Sequence, residues 1–248
     1  MNAKLHHVVN PRVSTDCVIF GFDNSKLNLL LITRKSKQSG ESQRMALPGD
    51  LIYEDENLDQ AASRVLGELT GLKDIYLQQI GAFGDPERLS ASEDRDWLES
   101  VREQPDARVI TVAYFSLVNM RDYAPQASSF AASARWVPLE MVRELAFDHH
   151  DILNAAKRRL RETLKNKPVG FNLLPEKFTL TQLHHLYEAI LDKPLDKRNF
   201  RRKMLKLNIL TRLEEKQKGV PHKPSRYYTF NQENYERLSD TGYNNFDF

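Results

Sequence analysis

The sequence predicts a mixed α/β (α+β) fold in two domains, residues 1–165 and residues 171–248. Over the first range, short apolar runs alternate with amphipathic stretches, which predicts a mixed sheet with helices on both faces. A polar stretch with both proline and glycine, residues 165–170, then interrupts this pattern. The sequence beyond it predicts two short helices and a β-hairpin, which would form a separate small domain.

Composition sets only broad limits on function. The 248 residues carry 36 Lys and Arg against 34 Asp and Glu, and a net charge of +2 does not indicate a class of partner. The single cysteine, Cys17, excludes a disulfide framework and a cysteine-based metal site. The apolar runs are too short for a signal peptide or a membrane span, so we expect a cytoplasmic protein without a membrane partner.

Two apolar runs near the start of the chain predict a β-hairpin. Residues 13–22 and 27–33 are rich in aliphatic, β-branched and aromatic side chains, and Asp23-Asn24-Ser25 between them is typical of a tight turn. The residues before them, 1–12, predict a mobile arm. Further strands are predicted over residues 75–83, 109–118 and 136–137.

Residues 47–72 predict a tight turn at Pro48-Gly49, a short strand or loop, and then a helix. Asn57 is a suitable N-cap, because its side chain can accept hydrogen bonds from the free N–H groups of the first turn. Gly71 suits the left-handed position just after the last turn, where a Cβ atom would clash. Both ends of the helix are therefore marked in the sequence.

The spacing of Glu56, Arg64, Glu68 and Gly71 resembles the Nudix box, a loop and helix that hold Mg²⁺ against a diphosphate. In that motif, carboxylates one helical turn apart share a face and converge on the metal, which bridges to the substrate phosphate. The resemblance implies that Glu56 and Arg64 orient the loop and that Arg64 pairs with Glu68.

The box departs from the motif in its chemistry. Two of its three carboxylate positions hold Val65 and Leu69, and Asp50 stands where the motif has a glycine. A single remaining carboxylate, Glu68, cannot anchor the usual metal cluster. The sequence therefore predicts no catalytic residues, no metal ligands and no cofactor, and it predicts that Val65 and Leu69 widen the apolar stripe that seats the helix on the sheet.

A polar insertion follows the fourth predicted strand, at residues 89–106. Within it, Trp97, Leu98 and Val101 fall on one side of a helix. We therefore predict a short helix that covers either the edge of the sheet or a ligand pocket.

The end of the first domain predicts two more helices. A short one is expected near residues 139–145, and a longer one should run from Asp148, as its N-cap, to about residue 165. A functional interpretation places His149 or His150 in the wall of a pocket. The alternative is that Asp148 simply caps the helix beside a partly packed histidine, and the two interpretations are compatible.

The second domain begins with a pair of helices. Thr179 and Gln182 have the spacing of a capping box for a helix that ends near Leu191, and Asp196 is a suitable N-cap for a second helix over residues 197–207. The buried stripe of the first helix is predicted to comprise Leu180, Leu183, Leu186, Tyr187 and Ile190. On the second helix, Phe200, Met204 and Leu207 share the face that docks on the first.

A hairpin with strands at 209–213 and 226–230 and a basic loop at 214–225 completes a winged helix, an arrangement that lays its second helix in the major groove of DNA. Residues 193–226 contain twelve Lys and Arg against three acids, which favours phosphate binding. The alternatives are a solvated basic face or a protein-binding module. The candidate DNA-binding residues are Lys197, Arg198, Asn199, Arg201, Arg202, Lys206, Lys216, Lys218, Lys223 and Arg226, with Arg198, Asn199 and Arg202 expected at base edges.

Nearly the full chain resembles the Nudix-related transcriptional regulators of bacteria, through residues 68–72, 145–149, 178–180 and, most specifically, 193–202. The resemblance implies a homodimer, a repressor, whose non-catalytic Nudix domain senses a small-molecule effector and whose winged helix binds a double-stranded DNA operator. Family members respond to a sugar or to ADP-ribose, and the loss of metal-binding acids favours a sugar slightly. The effector-pocket candidates are Glu56, Arg64, Glu68, Phe147 and His149.

An enzymatic alternative stays open at the level of the sequence. Because Glu56, Arg64 and Glu68 are retained, the chain could hydrolyse nucleoside diphosphate derivatives with Mg²⁺, and its C-terminal domain would then serve oligomerisation or docking.

Overall fold

The computed structural model describes residues 7–23, 25–34, 44–166, 173–221 and 223–241. The chain forms two compact units. The first comprises Met1–Gly21 and Asn28–Ala156, and the second comprises Phe22–Leu27 and Lys157–Phe248. None of the helices in the described ranges is long and apolar enough to cross a lipid bilayer.

The first unit is built on a mixed six-stranded sheet. The strands lie in the order β4-β5-β1-β2-β6, and β3 pairs antiparallel with β1. The pairs β2–β6 and β4–β5 are also antiparallel. The strands are β1 (Val9–Phe22), β2 (Leu27–Arg34), β3 (Gly49–Tyr53), β4 (Gln78–Phe83), β5 (Ile110–Asn119) and β6 (Ala131–Pro138).

Helices cover this sheet, as the apolar runs predict. Every residue of β1 from Ser14 to Phe22 is buried, which is the pattern of a strand covered on both faces. On one face, Cys17 and Ile19 share a core cluster with Ala62 and Leu66 of helix α1 (Leu58–Thr70). The other helices are α2 (Arg95–Val101) and α3 (His149–Asn166), and the residues of α3 from Lys157 onward belong to the second unit.

The predicted ends of α1 are confirmed. The Asn57 side chain accepts a hydrogen bond from the N–H of Gln60, and the Gln60 side chain accepts one from the N–H of Asn57. Gly71 adopts a left-handed conformation with φ 73°, and its N–H donates to the carbonyl of Gly67. Local sequence therefore determines where this helix begins and ends.

The structure confirms one predicted boundary of β1 and contradicts the other. The turn after β1 is confirmed: the Asp23 carboxylate accepts from the N–H groups of Ser25 and Lys26, while Asn24 lies outside the described residues. The mobile arm over residues 1–12 is wrong for Val9–Arg12, which belong to β1 because Val9 pairs with Tyr53 of β3. Residues 1–6 lie outside the described ranges.

The predicted helix over residues 139–145 is wrong beyond its first turn. A 3₁₀ turn spans Leu139–Met141, and the chain is extended again at Val142. Leu145 instead forms an isolated bridge with Met45, and the N–H of Ala146 donates to the carbonyl of Met45. This pairing satisfies backbone groups that a longer helix would have used.

The second unit has the helices and hairpin of the predicted winged helix. Helix α4 (Leu180–Leu191) begins at the predicted capping box of Thr179 and Gln182, and helix α5 (Lys197–Lys206) begins at Asp196, whose side chain accepts from the N–H of Asn199. The three-stranded sheet is ordered β7 (Phe178–Thr179), β9 (Arg226–Phe230) and β8 (Leu210–Lys216). A further helix, α6 (Gln232–Thr241), follows β9.

Three details of the second unit differ from the prediction. Phe178, expected at the start of α4, pairs instead with Tyr228 of β9. The strand β8 extends to Lys216, which pairs with Arg226, so the loop of the wing begins at residue 217. Strand pairing overrides the local sequence at these positions. The third difference is α6, which was not predicted although the sequence marks its start: the Asn231 side chain accepts a hydrogen bond from the N–H of Asn234 at 3.0 Å.

Helix α5 is docked on α4 through aromatic contacts. Phe200 and Met204 are almost completely buried. The Phe200 ring meets the rings of Tyr187 and His184 edge to face, at centroid distances of 5.2 and 5.0 Å. The predicted docking face is therefore confirmed at Phe200 and Met204, while Leu180 and Leu207 are only half-buried.

Candidate functional site

A small cleft in the first unit lies among β1, β3, α2 and the start of α3. The enclosed space within it is about 30 Å³, and the cleft is partly open to solvent. Side chains of opposite charge line it together with aromatic rings. They include Asp16, Asp50, Arg88, Trp97, Arg102, Phe130, Phe147 and His149.

One end of the cleft is a buried ion network. The Arg88 side chain is 2% exposed, and its guanidinium donates to both carboxylate oxygens of Asp148 at 2.8 Å. It also approaches Asp16 at 3.4 Å. Two carboxylates from distant parts of the chain therefore share one cation, and this pairing offsets part of the free energy that the three groups lose when they leave water.

His149 completes this network and holds the turn before β3. Its Nδ1 accepts a hydrogen bond of 2.9 Å from the N–H of Leu47. The hydrogen of the neutral ring must then lie on Nε2, which faces Asp16 at 3.3 Å. Of the two histidines predicted for a pocket wall, His149 is the one in the cleft; His150 is exposed and contacts the carbonyl of Arg143.

The prediction that the Asp148 side chain caps α3 needs correction. Its carboxylate accepts from Arg88, whereas the N–H groups of Asp151 and Ile152 donate to the backbone carbonyl of Asp148. An unpaired buried guanidinium costs more free energy than an uncapped helix start that water can reach. The Asp148 carboxylate therefore pairs with Arg88 and not with the first N–H groups of α3.

Burial and neighbouring charges shift the pKa of Asp16 in opposite directions. Burial alone would raise its pKa, but His149 and the Arg88 guanidinium outweigh this effect and hold the pKa well below its usual value. The unfolded chain therefore binds a proton at a higher pH than the folded chain does.

This difference predicts a loss of stability in acid. The contribution of Asp16 to the free energy of unfolding should be complete above about pH 5 and should fall as the pH drops below about 4, because the unfolded carboxylate protonates first. Urea unfolding between pH 3 and pH 7 measures this slope. The Asp16→Asn variant should show a weaker slope below pH 4, and an unchanged slope would contradict the assignment.

The three retained residues of the Nudix box form a cluster beside the cleft, not among the residues that line it. Arg64 donates from Nε to Glu56 at 2.8 Å and from Nη1 to Glu68 at 3.0 Å. Its guanidinium also stacks on the ring of Tyr53, 3.8 Å from the ring centre. Glu56 in turn accepts from the N–H of Tyr53, so the cluster fixes the loop before α1.

The donor set of the box does not fit Mg²⁺. Val65 and Leu69 stand at two carboxylate positions of the motif, and both are buried in a cluster with Trp97. Glu56 and Glu68 are hydrogen-bonded to Arg64. The remaining oxygens cannot provide the several free carboxylate ligands that bridging metal ions require.

The predicted insertion helix is confirmed, and it closes over the cleft. Trp97 and Leu98 of α2 are buried and line the cleft. Just before α2, the buried carboxylate of Asp94 accepts from Arg44 at 2.9 Å and from the N–H of Phe147 at 2.7 Å. This side chain ties the insertion to two other loops around the cleft.

Several cleft residues were missed by the sequence interpretation. Asp16 had one available signal, since a charged residue inside a buried apolar strand is rare without a partner. Gly49 had none: a Cβ atom there would collide with the Asp16 carboxylate. Arg88 and Arg102 lie in polar loops, where an arginine carries no signal.

In the second unit, the predicted basic residues lie on the outer side of α5 and on the wing. Arg202 donates to the Asn199 side chain at 2.9 Å, which holds two candidate base-reading residues together. Arg226 is half-buried and pairs with Glu214 at 3.0 Å. The remaining candidates, Lys197, Arg198, Arg201, Lys206, Lys216, Lys218 and Lys223, are exposed.

Comparison with known families agrees with both halves of this structure. Residues 10–160 match the model of the NUDIX domain, and residues 170–230 match that of the NrtR DNA-binding winged helix domain. A relative from Acinetobacter baylyi, named ADPR responsive transcriptional repressor NtrR, is 32% identical over 231 residues, 92% of this chain and 85% of the relative.

Solved structures show the same two-part architecture. The structure of Shewanella oneidensis NrtR complexed with a 27mer DNA is 25% identical, with a TM-score of 0.66 over 90% of this chain and 95% of that one. A MutT/nudix family protein from Enterococcus faecalis shares the fold, with a TM-score of 0.63 over 92% of this chain and 90% of that one at 21% identity. The chain therefore belongs to the NrtR-type transcriptional regulators, which join a NUDIX domain to a DNA-binding winged helix domain.

Proposed function

We propose that this protein is a cytoplasmic, homodimeric transcriptional repressor whose domain over residues 1–165 binds ADP-ribose and whose domain over residues 171–248 binds an operator. The observation that carries DNA binding is helix α5. Its apolar face is anchored by Phe200 and Met204, and its other side presents exposed arginines and lysines. A fixed helix with an exposed basic face is suited to the major groove.

The choice of ADP-ribose rests on the relative. The Acinetobacter baylyi protein, which covers most of this chain, is named for its response to ADPR. The slight preference for a sugar came from the missing metal-binding acids alone. One arginine that lines the cleft, Arg102, supplies a positive charge there without a metal, since Arg88 is already paired with Asp16 and Asp148.

We further propose that the NUDIX domain binds its ligand without hydrolysing it. The support is the position of Val65 and Leu69, which are buried under Trp97 where a metal-binding box has carboxylates. The hydrolase alternative depends on Glu68, which is held by Arg64. Release of AMP from ADP-ribose in the presence of Mg²⁺, abolished in Glu68→Gln, would establish the enzyme instead.

Ligand control of the operator follows from geometry. In a dimer, two recognition helices must lie about 34 Å apart, one turn of DNA, to occupy both half-sites. A ligand that binds better to a dimer with a different spacing shifts the population away from the DNA-bound form. The enclosed volume of the cleft is about 30 Å³, so a ligand of nucleotide size either extends from it towards the solvent or displaces its walls.

We expect ADP-ribose to weaken operator binding by at least tenfold, a coupling of about 1.4 kcal/mol. The measurement is fluorescence anisotropy with a duplex selected by the protein from a randomised library. Ribose and AMP at the same concentrations are the controls, and neither should act. Unchanged operator affinity at saturating ADP-ribose would refute this effector.

A further inference from the structure

Arg102 is a cleft residue with a buried hydrogen-bond donor for which the described residues provide no acceptor. It follows α2 directly, and its N–H donates to the carbonyl of Leu98 at 2.9 Å, which fixes the start of its side chain. Its side chain lines the cleft. Its Nη1 atom is buried, and within the described ranges no protein group accepts a hydrogen bond from it. Burial lowers the pKa of this guanidinium.

The other charged groups of the cleft have partners. Arg88 is held by Asp148 and Asp16. One carboxylate oxygen of Asp50 accepts from the N–H of Leu51. A buried guanidinium nitrogen without a hydrogen-bond partner destabilises the folded protein. Such nitrogens are ordinarily found only where a water, an ion or a ligand provides the missing acceptor.

We propose that Arg102 binds a phosphate oxygen of the effector and so supplies the positive charge that Mg²⁺ supplies in a metal-binding Nudix box. This inference rests on the proposed function, since it specifies how the same cleft holds a phosphate-bearing ligand. Guanidinium groups suit phosphate, because their planar N–H donors can bind two oxygens at once.

The residues around Arg102 support this replacement. Helix α2, which carries Arg102 at its end, contributes Trp97 and Val101 to the cluster that contains Val65 and Leu69. The apolar side chains that displace the metal-binding acids thus form the surface on which the helix is seated. The same change of residues that removes one cation site therefore positions another cation beside it.

Asp50 extends the proposal to the rest of the ligand. Asp50 is half-buried and lines the cleft, and the partial loss of water around its carboxyl raises its pKa. The charges of Arg64 and Arg102 act on it in the opposite direction. A hydroxyl group of a sugar could donate to this carboxyl while the neighbouring phosphate binds Arg102. The ligand class is then a phosphorylated sugar or a nucleoside diphosphate sugar.

The test is calorimetric titration of the full-length protein with ADP-ribose in buffer containing EDTA, which removes divalent metals. Arg102→Gln should bind about tenfold to a hundredfold more weakly than the unmodified protein, the range of a lost hydrogen bond to a charged group. Arg102→Lys, which keeps the charge but loses the planar fork, should be intermediate. Arg143→Gln is the matched control, because Arg143 is exposed and does not line the cleft.

A second probe separates this inference from the choice of effector. Pyrophosphate without metal should raise the melting temperature of the unmodified protein and of Arg143→Gln, and it should do so far less for Arg102→Gln. If the rise in melting temperature with pyrophosphate depends on Arg102 but ADP-ribose does not change operator binding, ADP-ribose is refuted as the effector while Arg102 remains the proposed anion-binding residue.

Three results would overturn the proposal. They are Arg102→Gln binding within twofold of the unmodified protein, binding that requires added Mg²⁺, and no response to either probe. Circular dichroism and thermal unfolding show that each variant is folded. Arg102→Gln is expected to melt no lower than the unmodified protein, because it removes a buried donor that has no hydrogen-bond partner among the described residues.

Discussion

Replacing Arg198 and Arg202 together by alanine is expected to reduce operator affinity by about 1–3 kcal/mol for each lost base contact. Both side chains are exposed on α5, four residues apart, and Arg202 is oriented by Asn199. Neither contributes to the docking of α5, which depends on Phe200 and Met204. The loss should therefore appear in DNA binding and not in folding.

The measurement is anisotropy titration with the selected operator and with a scrambled duplex of equal length. Affinity for the scrambled duplex should fall much less, because base contacts contribute mainly to specific binding. The control is a double alanine variant at Arg158 and Arg159, which removes the same charge from exposed positions on α3 and should keep its operator affinity. Full operator affinity in the Arg198 and Arg202 variant would refute the placement of α5 in the groove.

Replacing Arg88 by methionine should destabilise the protein by about 3–5 kcal/mol, the cost of leaving buried charges without their partner. Arg88 is 2% exposed, and the exposed fractions of the Asp16 and Asp148 side chains are 7% and 12%. Methionine preserves much of the apolar stem but provides no donor to either carboxylate. Urea unfolding at pH 7 measures the change.

Arg95 offers a matched control for this second variant. It also pairs with two carboxylates, those of Glu99 and Asp106, but all three side chains are exposed. Solvent screens these pairs, so Arg95→Met should change stability only slightly. Equal losses in the two variants would show that burial does not determine the strength of the Arg88 network.

The features that could be predicted from the sequence are those that depend on contacts between residues close together in the chain. Asn57 and Gly71 mark the two ends of α1 within one short stretch, and Thr179 and Asp196 do the same for the starts of α4 and α5. Each signal depends on a side chain and a backbone group only a few positions apart. Boundaries of this kind need no tertiary context.

The cleft could not be predicted, because its contacts join distant positions. Arg88 meets a carboxylate 72 residues earlier in the chain and another 60 residues later. Single-sequence patterns do not encode such pairings, and the capping role predicted for Asp148 was wrong for this reason. The short strand at Phe178 was missed for the same reason, because its partner Tyr228 lies far along the chain, in the last strand of the domain.

The burial of Val65 and Leu69 limits which side chains these two positions tolerate. A glutamate introduced at either position would enter the core cluster that contains Trp97 and become an uncompensated charge in an apolar environment. Rebuilding a metal-binding box would therefore require the packing of helix α2 to change together with the box itself. Metal affinity and folding stability are thus antagonistic at these two positions, and a single glutamate at either is expected to lower stability without creating a metal site.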